Sequence, residues 1–206
     1  MRHRKIKNVI LDFDGVIVDT YELVFDIFKE RYPQVTRENF QDLFDTSVNE
    51  KDEMGLADGE DFVDWFFSKY NSALSGQHTF PASEECLREL AEDYNLFLVT
   101  SNSEKVVGEF LRDIDLNLFT EIMGYETDRL KVEKFKLLEE RDLINQEDSV
   151  FVTDTLADVV EGKEAGYKVI AGTFGYHDRN RLKKGQPDVI ADSWREIVKL
   201  INCWSD

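Results

Sequence analysis

A parallel sheet wound with helices on both faces is the fold class this sequence predicts, and three observations predict it. Short apolar runs recur along the chain, each closes in a cluster of polar residues, and each is followed by a segment of helical period. Strands buried on both faces read as near-continuous apolar runs, and their alternation with helices gives a doubly wound α/β architecture.

The first run is KNVILDFD, residues 7–14, and a helical pattern follows over about 20–32. From about 20 to 82 the spacing stays helical (Val24, Ile27, Phe28; Phe62, Trp65, Phe66, Tyr70), broken by a polar, glycine-bearing patch at 47–61 and without a strong strand run. This segment reads as a small helical insert whose aromatics pack helix on helix. The second run, NLFLVTSN at 95–102, leads into a helix over 103–113. The third, SVFVTDT at 149–155, leads into a helix over 156–165 that closes at Gly166, a residue suited to the left-handed turn after a helix. YKVIAG (167–172) and PDVIAD (187–192) are two further strands, and WREIVKLI (194–201) is a terminal amphipathic helix.

Composition narrows the function. A chain of 206 residues can build one good core, with or without a small accessory unit. Its 43 acidic against 25 basic residues give a net charge of −18, a field that repels nucleic acids and anionic membranes, so neither is an expected partner. An anionic ligand would have to be met locally, by a metal, a lysine or a helix amino terminus. Cys86 and Cys203 lack CxxC spacing and suit packed thiols in a reducing compartment. The basic start resembles a signal peptide, yet Asp12 interrupts the apolar run too early, and no stretch approaches the ~20 apolar residues of a membrane span. The expected setting is the cytoplasm; the oligomeric state is left open.

In parallel sheets ligands bind beyond the carboxyl ends of the strands. Asp12, Asp14, Thr100, Ser101, Asn102, Asp154 and Asp158 all fall at such ends and are candidates to meet in one crevice. The stretch ILDFDGVIVDT, 10–20, has two readings. On a strand Asp12 and Asp14 share a side, with Phe13 opposite, and a cation would offset their like charges. Alternatively Asp14-Gly15 is the turn of a β-hairpin. An EF-hand starting at Asp12 is excluded, since Ile17 and Leu23 stand where glycine and glutamate are required. His3, His78 and His177 have no metal-ligand spacing, and Asp19 is expected to cap the helix starting near Thr20.

DFDGVIVD, then LVTSN, a later lysine and VTDTLAD, in that order over residues 7–172, resemble the haloacid dehalogenase (HAD)-like hydrolase superfamily, in its phosphatase branch. The resemblance implies a Rossmannoid core, residues 1–19 and 83–206, and an inserted helical cap domain, 20–82. It implies a Mg2+-dependent phosphatase acting on a small phosphorylated metabolite. Asp12 matches the nucleophile that forms an aspartyl-phosphate, and Asp14 the general acid and base. Members that dehalogenate lack that second aspartate. Mg2+ is implied at the Asp12 carboxylate, the Asp14 main-chain carbonyl and Asp154, with Asp158 in support; the other reading of Asp154 and Asp158 is helix capping through Thr155-x-x-Asp158. Thr100 matches the phosphate-binding residue. Ser101 and Asn102 complete that set, although Ser101-x-x-Glu104 also has capping-box form and Asn102 suits a supporting contact. Lys131 is in register for the phosphate lysine, with Lys134 the second choice; Val132 stands where the family commonly has proline, and Thr153 where many relatives have glycine. The insert's bases, Lys29, Arg31, Arg37, Lys51 and Lys69, do not identify a substrate. A phosphomutase and a non-catalytic phosphate- or metal-binding module are the alternatives.

Overall fold

The computed structural model describes residues 5–46 and 60–205, so His3, Lys51 and the polar patch as far as residue 59 lie outside the described residues. Six strands, β1 (Asn8–Leu11), β2 (Asn95–Val99), β3 (Phe119–Met123), β4 (Ser149–Thr153), β5 (Lys168–Gly172) and β6 (Val189–Ala191), form one sheet. The order is β3-β2-β1-β4-β5-β6, and every neighbouring pair is parallel. β1 is paired on both sides, with β2 and β4. A hairpin folding VIVDT back onto ILDF is therefore excluded: both ladder edges of β1 are taken. Past the strand the chain turns tightly, with the Phe13 carbonyl accepting from the Ile17 and Val18 amides and Gly15 at φ 71°.

The helices are α1 (Tyr21–Arg31), α2 (Arg37–Asp42), α3 (Glu60–Leu74), α4 (Ser83–Asp93), α5 (Glu104–Asp113), α6 (Lys131–Glu140), α7 (Leu156–Glu164), α8 (Arg179–Leu182) and α9 (Trp194–Ser205). Alternation along the strands divides the core. Val9, Leu11, Leu96, Leu98, Val150 and Val152 face α4, α5 and α9, while Ile10, Phe97, Val99, Phe151 and Val169 face α6, α7 and α8. The sheet is thus covered on both faces. Val24, Phe40, Tyr70 and Leu74, from α1 to α3, join the first of these clusters, so the helical insert is continuous with the core on that side.

β3 is the strand that sequence reading missed. It is an edge strand with only Met123 buried, and its mixed FTEIM carries none of the apolar continuity of a central strand. Cys86 is buried, but Cys203 is exposed rather than packed, and both are free thiols. No helix among the described residues is long and apolar enough to cross a membrane.

Candidate active site

The carboxyl ends of β1, β2 and β4 place their polar clusters around one cavity of about 300 Å³, lined among others by Asp12, Asp14, Ser101, Asn102, Lys131 and Asp158. Asp12 keeps the strand parity of Ile10 and so meets the face covered by α6 and α7. There Lys131, at the first position of α6, is buried and donates from Nζ to Asp12 Oδ2 and, at 2.9 Å, to Asp158 Oδ2. The other Asp12 oxygen accepts the Phe13 amide at 2.7 Å. Burial lifts the Asp12 carboxyl well above the usual carboxylate range against the pull of Lys131. Asp158 is held low despite its burial by Lys131 and the Thr155 hydroxyl, and burial of the Lys131 ammonium is outweighed by the two carboxylates, which hold its proton tightly.

Lys134 lies one turn along α6. Its Nζ donates to the main-chain carbonyl of Thr100 at 2.6 Å, and burial with the nearby Lys131 charge brings it down to about 8. Of the two candidate lysines, Lys131 is the one that meets the aspartates. Thr100 is fully buried, and its hydroxyl accepts the Asn102 amide at 3.1 Å.

Asp14 points elsewhere. Its Oδ1 accepts from Tyr70 Oη at 2.5 Å and Thr20 Oγ1 at 2.7 Å, and its Oδ2 from Asn102 Nδ2 at 3.2 Å. Thr20 spends its proton on Asp14, which leaves Tyr176 Oη, 3.2 Å away, as the donor to Thr20. Burial raises the Asp14 carboxyl, and these three donors oppose the rise. The two aspartates thus sit in different settings, one against a cation, the other under neutral donors.

Asp154 is fully buried at the end of β4. Its Oδ2 accepts the Tyr176 amide at 2.7 Å, while its Oδ1 has no hydrogen-bond partner. Burial and the neighbouring Asp12 push its carboxyl far up. A Cβ at Gly15 or Gly175 would run into this carboxylate, so both glycines are needed for the close approach. Among the described residues no three His, Cys, Asp or Glu side chains form a ready-made metal cage. Two buried carboxylates close to one another, one with an unpartnered oxygen, nevertheless suit a hard cation that keeps several waters, as Mg2+ does.

Two expectations about capping are corrected and a third holds. Helix α5 is preceded by Ser103, not Ser101: the Glu126 carboxylate, from the loop after β3, accepts the Glu104 amide at 2.8 Å and the Ser103 hydroxyl, and Glu104 turns to the Gly124 amide. Ser101 lies exposed at the cavity lip. Asp19 does not cap α1: the cap position belongs to Thr20, which has no side-chain capping bond. Thr155 does cap α7, accepting the Asp158 amide, while the Asp158 carboxylate serves Lys131 as well.

Sequence reading missed Tyr70, Thr20, Tyr176 and the paired glycines. Tyr70 was absorbed into the helical aromatic pattern. Tyr176 sits in TFGYHD, directly after β5, and the rule that ligands gather beyond strand ends points there too.

The site thus joins a carboxylate pair beyond the central strand to a buried lysine and a second acidic strand end. The chain belongs to the haloacid dehalogenase-like hydrolase family, which it matches over residues 9–172. It is 23% identical to a phosphoglycolate phosphatase of Vibrio parahaemolyticus, covering 98% of both chains. It is 24% identical to the pyrophosphatase PpaX of Bacillus cereus, covering 96% of this chain and 97% of the other. A haloacid dehalogenase-like hydrolase from Streptococcus pneumoniae superposes with a TM-score of 0.78 at 20% identity, over 95% of this chain and 98% of that one.

Proposed function

We propose that the chain is a Mg2+-dependent phosphatase that hydrolyses a small phosphorylated metabolite through an aspartyl-phosphate on Asp12. The observation that carries this reading is the division of labour between the two aspartates facing one cavity. Asp12 has one oxygen on a main-chain amide and the other on Lys131, a charge that also suits an incoming phosphate. Its carboxylate attacks phosphorus as the ester oxygen departs. Asp14, raised by burial, gives its proton to that oxygen and then takes one from the water that cleaves the acyl phosphate, restoring Asp12. The Asp12 carboxylate, the Asp14 carbonyl and Asp154 would hold Mg2+, which when bound would supply positive charge that offsets the repulsion between the anionic nucleophile and the phosphate.

Lys131 orients Asp12 and neutralises part of the phosphate charge, with Asp158 holding the lysine in place. Ser101 and Asn102 line the cavity on its phosphate side, Thr100, fully buried, holds the Asn102 amide, and Asn102 also fixes Asp14. In this reading residues 20–82 act as a cap over a core made of 1–19 and 83–206, excluding water and selecting the substrate.

The test is phosphate release from a generic aryl phosphate with and without Mg2+. Asp12→Asn is expected to lower turnover by roughly 10³-fold or more while the fold and melting remain intact. Parent-like turnover by that variant would overturn the assignment.

A further inference from the structure

The relatives' names point to two substrates whose leaving groups are themselves anionic, phosphoglycolate and pyrophosphate. The cavity of this chain is built for something else. Besides Asp12 and Asp14 its wall holds half-buried rings: Phe28, Phe44, Phe62, Phe66, Phe67 and Tyr125. Five of the rings are contiguous, Phe28 with Phe62 at 5.5 Å and Phe66 at 5.8 Å, and Phe67 with Phe66 at 5.6 Å and Tyr125 at 5.4 Å. Phe28 packs on Phe62 and Phe66 helix on helix, as the sequence suggested, and all of these rings also line the cavity.

The charges give the second argument. Among the described lining residues the cations are Lys131, which is buried on Asp12 and Asp158, and Arg129, which is exposed and stands over the Tyr125 ring. Glu161 adds a further acid to the wall. A second carboxylate or phosphate on the leaving group would find only the exposed Arg129 among the described lining residues and elsewhere meet rings and acids, losing hydration with little in return. An apolar group in the same place gains by leaving water.

We propose that the preferred substrate is the phosphate monoester of an apolar alcohol, with an alkyl chain or single aromatic ring seated on the wall and the phosphate at Asp12. This rests on the phosphatase reading above. About 300 Å³ is at the small end of ligand pockets, which sets the limit at a short chain or one ring.

The experiment compares kcat/KM with Mg2+ for ethyl, propyl, butyl and hexyl phosphate, primary esters whose leaving alcohols are alike in acidity. 2-Phenylethyl phosphate, phosphoglycolate and pyrophosphate are run beside them. Each added methylene is expected to raise kcat/KM roughly 4-fold until the cavity fills, and propyl phosphate should exceed phosphoglycolate, its near-isostere. Phe67→Arg is expected to reverse that last preference. Phosphoglycolate or pyrophosphate turned over as well as or better than the best of the alkyl esters would overturn the substrate class and leave the phosphatase standing. Release from none of the seven would count against the phosphatase reading itself. In parallel, calorimetry on the parent with non-hydrolysable alkylphosphonates reads the wall without turnover. Affinity rising with chain length supports the apolar site, and affinity independent of chain length overturns it.

Discussion

Asp14 receives three side-chain hydrogen bonds from three parts of the chain: Thr20 just after the first turn, Asn102 beyond β2 and Tyr70 from α3. If Asp14 acts as proposed, delivering a proton to a departing oxygen, it has to be aimed, and three donors from fixed positions would aim it. Tyr70 is the informative one, because it belongs to the insert and ties the position of α3 to the orientation of the acid. Tyr70→Phe keeps the ring on Phe66, 5.8 Å away, and removes only the hydroxyl. The variant is expected to lose about 10-fold in kcat on alkyl phosphates, which need the proton, and clearly less on aryl phosphates, whose anions leave unaided. Asp14→Asn should show the same pattern more strongly. Equal losses on both substrate types for Tyr70→Phe would make the tyrosine a packing residue with no hold on the acid.

At the scale of elements, the loop after β5 joins pieces that are distant in sequence. His177 is buried: its Nδ1 accepts the Leu156 amide at the start of α7 at 2.9 Å, and its Nε2 donates to the Gln41 carbonyl of α2 at 3.0 Å. That pattern requires the neutral ring. Burial holds its pKa below the ordinary value of 6.5, with Arg181 acting the same way; the Gln41 carbonyl, Asp45 at 3.8 Å and Asp158 oppose. A base whose folded pKa is lowered contributes stability that is complete above the unfolded value. That stability is lost as pH falls from about 6.5 towards the folded value, because the unfolded chain takes the proton first. The parent's Tm is therefore expected to fall more steeply between pH 7 and 5.5 than that of His177→Gln, which can make both bonds without titrating. Each kcal/mol is worth about 2–4 °C in a chain of this size. Parallel curves for the two proteins would exclude His177 as the source of acid sensitivity.

The same elements explain what the sequence revealed. β1, β2 and β4 are buried on both faces and so appear as plain apolar runs, and their polar ends located Asp12, Asp14, Asn102 and Asp154 directly. β3 is half wet and left no such trace. The cap of α5 comes from Glu126, more than twenty residues away, so the local Ser101-x-x-Glu104 pattern pointed to the wrong residue. Lys131 and Lys134 share a face and are both buried, and only the fold separates the one on Asp12 from the one on the Thr100 carbonyl. Tyr70 and His177 act through contacts across the chain, which periodicity does not register.

Over the whole molecule the charge of −18 means that any added salt relieves self-repulsion, so a stabilising effect of Mg2+ is by itself no sign of a site. The site-specific part can be isolated at Asp154. In the metal-free protein this carboxylate is buried, close to Asp12, and has one unpartnered oxygen, a position where negative charge costs stability. Asp154→Asn keeps the size and the acceptor for the Tyr176 amide and removes the charge. In chelator its Tm is expected to equal or exceed the parent's. With Mg2+ at about 100 times its dissociation constant, the parent should gain roughly 2.7 kcal/mol, or about 5–11 °C. The variant should show only the small rise that an ionically matched sodium salt gives. Measuring both proteins by thermal unfolding at constant ionic strength separates screening from binding. If the variant keeps the parent's Mg2+ shift, Asp154 does not hold the ion, and the cation must be sought elsewhere among the acids of the cavity.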